Sequence, residues 1–504
     1  MTHKSAGASG TSTSSTGLAR NLGLLGLAAT GICSMLGAAI NIIPFMIQRS
    51  VPGIGPYVLP AYLFAALPAV LAALAYAILA SAMPRAGGSY IYASRALNPY
   101  LGFVASFSQW FGLSIAIGVV SYVIVPFLRD FVAAIGWQTL ADTLESGPLR
   151  LILPLIFLWT FVGVNLRGAK LYQRTLIPMM FLMFALGGVV IVAGFMFDHN
   201  DFAAALLERE GRTLPTGDMT PLQFSTYLAA AAILFSSFIG FDSIAQAGGE
   251  AKNPGRALPL AIGIAVLTVG TFYFLFTAAI YHAVPWQYIA EQALIKDITA
   301  PGLLGYLLPT GWTVAILAGA AVALINDLPA MLLAVSRLMF AWAGDGIFPK
   351  RVAKVHPTRH TPTLAIILSG IMASLGILGS HLAGDFFLGV DILVTSMLVN
   401  FLLMCLSVLW LPKRNPEIAK DVRVVSNRKI QVPLVLLGAI MLGGFLVVHI
   451  WKDISASVSA WYFHSTPVWL IVMAIATGIY LRELRNLRQS GVDVKAIFSK
   501  LPPE

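Results

Sequence analysis

Twelve apolar stretches recur along this 504-residue chain, each long enough to cross a bilayer as a helix. They centre near 22–45, 56–82, 100–128, 149–166, 175–197, 222–249, 257–283, 311–343, 362–381, 386–411, 432–451 and 465–482, with residues 362–411 divided at the polar turn around Gly384-Asp385. A hydrocarbon interior has no water to offer an unpaired N–H or C=O, so each stretch must form a helix that satisfies its own backbone. Composition agrees. Hydrophobic residues make up 58% and charged residues only 11%, against about 25% charged in soluble domains. The chain is an all-α polytopic membrane protein.

Two of the stretches break the rule that makes them helices. The first carries Gly31-Ile-Cys-Ser-Met-Leu-Gly37-Ala-Ala-Ile-Asn41-Ile-Ile-Pro44, and the second Ser236-Ser-Phe-Ile-Gly240-Phe-Asp242 followed by Gly248-Gly-Glu250-Ala-Lys-Asn-Pro254. Glycine, small polar residues and proline at bilayer depth open the helix and free its backbone groups. Such a break persists where it lines a protein cavity and the freed groups hold something. A half-helix that starts there offers unpaired N–H groups and a partial positive charge. One that ends there offers carbonyls. A carboxylate suits the first and an ammonium the second, so one pair of breaks can hold both ends of a zwitterion. The plainer reading of the same glycines is close helix packing, which small residues permit in membranes.

The net charge of +10 does not point to nucleic acid, because its distribution is one-sided. With both termini placed in the cytoplasm, only seven of the 32 Lys and Arg fall outside. That is the bias that orients membrane proteins, and it favours an even number of spans. Acids gather on the opposite side, where Asp198, Asp201, Glu208, Glu210 and Asp218 share one loop. Residues 1–19 read as a disordered cytoplasmic tail, and 485–504 as a second cytoplasmic tail. The first apolar stretch is too long for a signal peptide and lacks a convincing small-residue cleavage site, so it is kept as helix one. Cys33 and Cys405 fall inside expected helices and provide neither a disulfide framework nor zinc spacing.

Breaks in the first and sixth of twelve helices predict two five-helix halves, at 20–200 and 220–411, with helices 11 and 12 at 430–484. Five is odd, so the halves have opposite topology and form an inverted repeat. Four stretches then carry a family likeness. They are the break from Gly31 to Pro44; Tyr76 to Tyr92 with Pro84-Arg85-Ala-Gly87-Gly88; Phe238 to Asp242 with Lys252-Asn253-Pro254; and Ser336-Arg337 to Asp345-Gly346-Ile-Phe-Pro349 with Lys354-Val-His-Pro357. In this order and spacing the chain resembles the amino acid–polyamine–organocation superfamily of permeases. The resemblance implies a 5+5 inverted-repeat fold of the leucine-transporter type. It also implies alternating access, with helices 1, 2, 6 and 7 rocking against a scaffold of 3, 4, 8 and 9.

The same resemblance places the N–H groups of Gly37, Ala38 and Ala39 toward a carboxylate, and the carbonyls of Met35, Ser236 and Ile239 toward an amine, with Gly240 opening the second break. Here the chain departs from the family in three places. Ala38-Ala39 stand where the family shows a second glycine, Asn41 replaces a common aromatic, and Ser236 replaces an aromatic gate found in some relatives. The departures keep the grip on an amine and weaken the grip on a carboxylate.

Two acids sit at bilayer depth, where a charge is costly and points to function. Asp242 is read either as a cap for the restarted half-helix or as a titrating acid that couples proton movement. Asp327, in Asn326-Asp327-Leu-Pro329, is expected at a local break of helix eight, since proline damages a helix interior. It is read either as a cap or as a site for Na⁺, a proton or a cationic substrate. Some proton-coupled relatives carry a lysine in helix five; Leu176 to Met183 contains none. Gly87-Gly88-Ser89 lacks the context of a phosphate cradle, and the histidines show no metal spacing.

The expected function is transport of amino acids or related amine-bearing solutes across the plasma membrane, coupled to H⁺ or Na⁺ and without a cofactor. A polyamine or organic-cation carrier and an uncoupled exchanger remain the alternatives. No covalent partner subunit and no nucleic-acid partner are expected, and no metal or nucleophile constellation suggests an enzyme.

Overall fold

The computed structural model describes residues 18–144, 147–215, 221–383, 387–458 and 460–502. Residues 1–17 of the N-terminal tail, Asp218 and the turn at Gly384-Asp385 lie outside them. The described chain is helical, with two isolated β-bridges, Leu22 with Ala251 and Ala86 with Ala247. In chain order the helices begin with α1 (Leu24–Met35), α2 (Ala38–Ser50), α3 (Val58–Ala82), α4 (Gly88–Ala96), α5 (Pro99–Ala134) and α6 (Gln138–Leu144). There follow α7 (Leu149–Leu166), α8 (Ala169–Met196), α9 (His199–Glu210), α10 (Phe224–Leu234), α11 (Asp242–Gln246), α12 (Pro254–Ala283) and α13 (Trp286–Ile295). The last are α14 (Ala300–Leu304), α15 (Thr310–Gly344), α16 (Thr363–Ala383), α17 (Phe387–Arg414), α18 (Pro416–Ala419), α19 (Arg428–Ser455), α20 (Ser465–Gln489) and α21 (Val494–Ser499).

Among the described residues, eleven helical units are long and apolar enough to cross a membrane, with α1 and α2 counted as one. The stretch expected at 222–249 consists instead of short pieces, of which Phe224–Phe238 is the apolar one. Local chemistry sets several starts. The Asn98 side chain accepts from Leu101 N (2.9 Å) to cap α5, and Pro99 fills the first turn, where its missing N–H costs nothing. α5, α15 and α17 are buried along most of their length, whereas α19 and α20 turn Ile440, Val447, Ile471 and Ile475 outward. An apolar outer face suits a lipid solvent.

The expected break at Asn326-Asp327-Pro329 is absent, because α15 runs unbroken from Thr310 to Gly344 with Pro329 inside it. Proline removes one helical bond, the one that would reach the Ile325 carbonyl, and α15 continues through that single loss with cross-helix bonds bracing the same stretch. Asn165 Nδ2 donates to the Pro329 carbonyl (3.3 Å), while Asn326 Nδ2 donates to the Leu176 carbonyl (3.2 Å) and to Cys33 Sγ (3.1 Å). The C-terminal end also differs from a loose tail. α20 continues to Gln489 and α21 follows, with Phe498 buried.

Both described ends meet on one face, here called the terminal face. Leu22 N donates to the Glu250 carbonyl (2.9 Å) and Lys252 N to the Leu22 carbonyl (2.8 Å). Gly87 N donates to the Gln246 carbonyl (3.2 Å), and Arg85 Nε donates to the Pro502 carbonyl (3.0 Å). Two buried ion pairs seal the same face: Arg337 with Glu250, and Arg95 with Asp345 at 2.5 Å. On the distal face the pairs are partly solvated, as in Arg49–Asp297 (3.1 Å) and Arg212–Glu291 (2.9 Å).

Candidate functional site at the paired helix breaks

The first break is short. α1 ends at Met35, Gly37 takes φ −117° and ψ −121°, and α2 begins at Ala38. The second is longer. α10 ends at Leu234, a 3₁₀ turn spans Phe235–Phe238, Ile239 is extended, and α11 begins at Asp242. Gly240 has φ +139°, a conformation open to glycine and strained for other residues, and a Cβ there would overlap the Ser34 carbonyl. Ser34 Oγ lies 2.9 Å from Ser243 Oγ. The two breaks therefore touch.

Around this junction lies a cavity of about 70 Å³, several times the space one water needs. Met35, Ala39, Ser236, Ile239 and Asp327, all singled out from sequence, line it. Ser34 joins them at the breaks, and Val119, Val120, Val123, Val390 and Leu393 supply apolar walls from α5 and α17. Gly37 lies beneath Asp327, so closely that a Cβ on it would overlap the carboxylate. Gly240 is not among the lining residues; it packs on the Ser34 carbonyl next to Ile239, which is. Asn41 does not line this cavity: its Nδ2 donates to the Gly37 carbonyl (3.4 Å), and it faces a separate crevice with Leu36 and Met183. Ala38 contributes the first helical residue of α2.

The two acids have opposite surroundings. Asp242 is fully buried and satisfied, accepting from Gly240 N (3.1 Å) and from Gln109 Nε2. Gln109 passes the network on: Gln246 Nε2 donates to Gln109 Oε1 (3.2 Å) and to Ser89 Oγ (2.8 Å). Ser89 bonds the Tyr76 hydroxyl (2.6 Å), to which Asn400 Nδ2 also donates (2.6 Å). Five helices are thus tied through uncharged groups. Asp327 is 5% exposed, lines the cavity, and its Oδ1 has no hydrogen-bond partner among the described residues. The Ser236 hydroxyl is likewise unpartnered there. A buried carboxylate without a partner is expensive. The arrangement can bind a cation.

Two of the carbonyls expected to hold an amine already accept a bond within the protein. The Met35 carbonyl takes the Tyr273 hydroxyl (2.6 Å), and the Ser236 carbonyl takes Ile239 N (3.1 Å). Sequence reasoning missed Tyr273, Gln109 and Gln246, as well as the Arg337–Glu250 and Arg95–Asp345 pairs. Only the acids carried a signal, Glu250 following Gly248-Gly249 and Asp345 standing between Gly344 and Gly346.

The amino acid permease family model matches residues 22–476. The chain belongs to the amino acid permease family. This permease is 24% identical to the branched-chain amino acid permease BcaP of Bacillus subtilis (strain 168), over 94% of this chain and 95% of that one. It is 28% identical to cationic amino acid transporter 4 of Mus musculus over 71% of its own length, a match that spans 55% of that protein. With the low-affinity putrescine importer PlaP of Escherichia coli (strain K12) it shares 26% identity over 72% of its own length and 75% of that one. It is a multi-pass membrane transporter of the amino acid–polyamine–organocation superfamily and not an enzyme.

Proposed function

We propose that this permease is a secondary active transporter of a small amine-bearing solute, which it moves by alternating access through the cavity at its paired breaks. The observation that carries the reading is the cavity itself. It sits where two broken helices touch, it holds one unpartnered carboxylate, and the terminal face beneath it is closed by buried ion pairs. A carrier needs a site reached from one side at a time, and a two-sided structure closed at one face fits that need. In this reading residues 20–200 and 220–411 are the halves of an inverted repeat, and the terminal face is cytoplasmic at the plasma membrane. Met35, Gly37, Ala38, Ala39, Ser236, Ile239 and Gly240 form the substrate site, with Asn41 supporting the α2 entrance. Asp327 is where a cation sits, whether proton, Na⁺ or the substrate's own ammonium, and Asp242 holds the second break in shape.

Purified permease in proteoliposomes, offered a panel of amino acids and amines under separate Na⁺ and proton gradients, tests this. Accumulation of at least one amine-bearing solute that collapses when its gradient is dissipated is expected. If no member of the panel accumulates under either gradient, the coupled-transport reading is wrong.

A further inference from the structure

The Asp327 carboxylate stands where an amino acid would need to put its own. It lies over Gly37, the residue just before the first helical N–H groups of α2, and that approach is possible only because Gly37 has no side chain. Those N–H groups are the natural seat for a carboxylate. A second carboxylate brought to the same end of α2 would face the first across an apolar, dehydrated cavity, and like charges there repel strongly. No basic side chain among the described residues lining the cavity offsets that repulsion, Asp327 being the one ionisable acid or base there.

Three further observations describe the missing partner. The unpartnered Asp327 Oδ1 and the unpartnered Ser236 hydroxyl both belong to cavity-lining residues, giving one counter-charge and one further hydrogen-bonding group for an ammonium. Asp242 is already satisfied by Gly240 N and Gln109, so no second carboxylate is free to hold a second ammonium. The rest of the lining is mostly apolar and branched, with Ile42, Val119, Val123 and Leu393 among it.

We infer that the substrate of this site is a monoamine with a compact apolar body and no carboxylate, held by an ion pair to Asp327. This rests on the transport reading above and narrows it. The ammonium takes the place between α15 and the start of α2, and the hydrocarbon body lies along α5 and α17. Amino acids are excluded by charge rather than by size, and diamines because they would bury a second ammonium without a partner.

Four compounds that share a four-carbon chain isolate each element of the claim: 3-methylbutylamine, leucine (the same body with a carboxylate), putrescine (a second ammonium on an unbranched chain) and 3-methylbutanol (no charge). Binding to the full-length permease in detergent is read by ligand-induced thermal shift, and transport by counterflow in proteoliposomes. 3-Methylbutylamine should bind at least 100-fold more tightly than leucine and at least tenfold more tightly than putrescine or the alcohol. Asp327→Asn should weaken the amine at least tenfold while leaving the unliganded melting temperature unchanged or raised. Leucine or putrescine binding as well as 3-methylbutylamine overturns the inference even where transport itself is robust. It is equally overturned if Asp327→Asn loses gradient dependence but keeps wild-type amine binding, which would make Asp327 an ion site instead. If no compound binds or moves, and the wider gradient panel is also silent, the transport reading fails together with the inference.

Discussion

Glu250→Gln tests what keeps the terminal face shut. Glu250 and Arg337 are each 2% exposed, and they meet through one contact, Arg337 Nη2 to Glu250 Oε1. Arg337 Nε and Glu250 Oε2 have no hydrogen-bond partner among the described residues, so the pair is not bidentate. Removing one charge of a buried pair costs about 3–5 kcal/mol, because the other stays buried without a counter-charge. Glutamine keeps an acceptor for Arg337, which puts the expected cost at the lower end, about 3 kcal/mol. At 1.4 kcal/mol per factor of ten, the sealed form loses about 100-fold against forms open at that face. Gly87 N and Lys252 N bond across the seam, to the Gln246 and Leu22 carbonyls, and report on it directly. Their hydrogen exchange should quicken by up to about 100-fold in Glu250→Gln, while amides buried in α5 stay unchanged. The double variant Glu250→Gln/Arg337→Gln, which leaves no charge behind, should recover more than half of the loss. Wild-type exchange at both amides in Glu250→Gln would refute the argument. So would a double variant that is worse than either single one.

Gly240→Ala forces a side chain onto φ +139° and into the Ser34 carbonyl, so a cost of about 2–3 kcal/mol in backbone strain and a lower melting temperature are expected; an unshifted melting curve contradicts this. Truncation after Gln489 removes the Arg85–Pro502, Arg95–Lys500 and Asn415–Ser499 bonds, as well as Phe498, whose ring lies 5.0 Å from the Arg95 guanidinium. Exchange at Gly87 should rise by about tenfold, and an unchanged rate would show that the C-terminal segment does not brace the seal. On the distal face, the Tyr306 hydroxyl and the Arg212 guanidinium hold Glu210 below the usual glutamate range. Its contribution is therefore present above the ordinary value of about 4.3 and lost as pH falls through the lowered folded value. Hydrogen exchange in α9 should quicken in that acid window, and Glu210→Gln should shrink the pH step to the share of Asp198, whose carboxylate caps α9 and is likewise held low by the N–H groups of Asp201 and Asn200.

Much of the architecture was legible because a membrane leaves few choices. Apolar length located the spanning helices, and the two breaks were visible as glycine and polar residues where lipid forbids bare backbone. Pro329 misled for an instructive reason. Proline reports the loss of one N–H, but whether a helix yields depends on neighbours such as Asn165 on α7, which sequence spacing cannot place. Asn41 does stand beside the break, and the turn of α2 directs its amide back to the Gly37 carbonyl, an orientation that sequence spacing does not give. The pairing in the seal was hidden because Arg337 lies 87 residues from Glu250 and Asp345 lies 250 from Arg95, and they meet only once the turn at Glu250, α4 and the end of α15 fold onto one face.

The buried acids of this permease differ in how far they are satisfied. Glu250 and Asp345 at the terminal face are neutralised by arginines, and Asp242 midway is satisfied by an amide and a backbone N–H. Asp327 Oδ1, in the cavity, has no hydrogen-bond partner among the described residues. In the proposed reading a cation would gain most at Asp327, and binding would favour the close approach of Asp327 to Gly37. Gly37 belongs to the same broken unit as Gly31 and Ser34, which pack on Ile244 and bond Ser243 of α11. α11 leads within a few residues to Gln246 and Glu250, the inner half of the seal. Site and seal are thus joined through one short helix. If that junction transmits, linkage requires that the factor by which Glu250→Gln changes cation affinity equal the factor by which the cation changes opening of the seal. Equality of two independently measured numbers is a stricter demand than either change alone, and an inequality would mean that site and gate move separately.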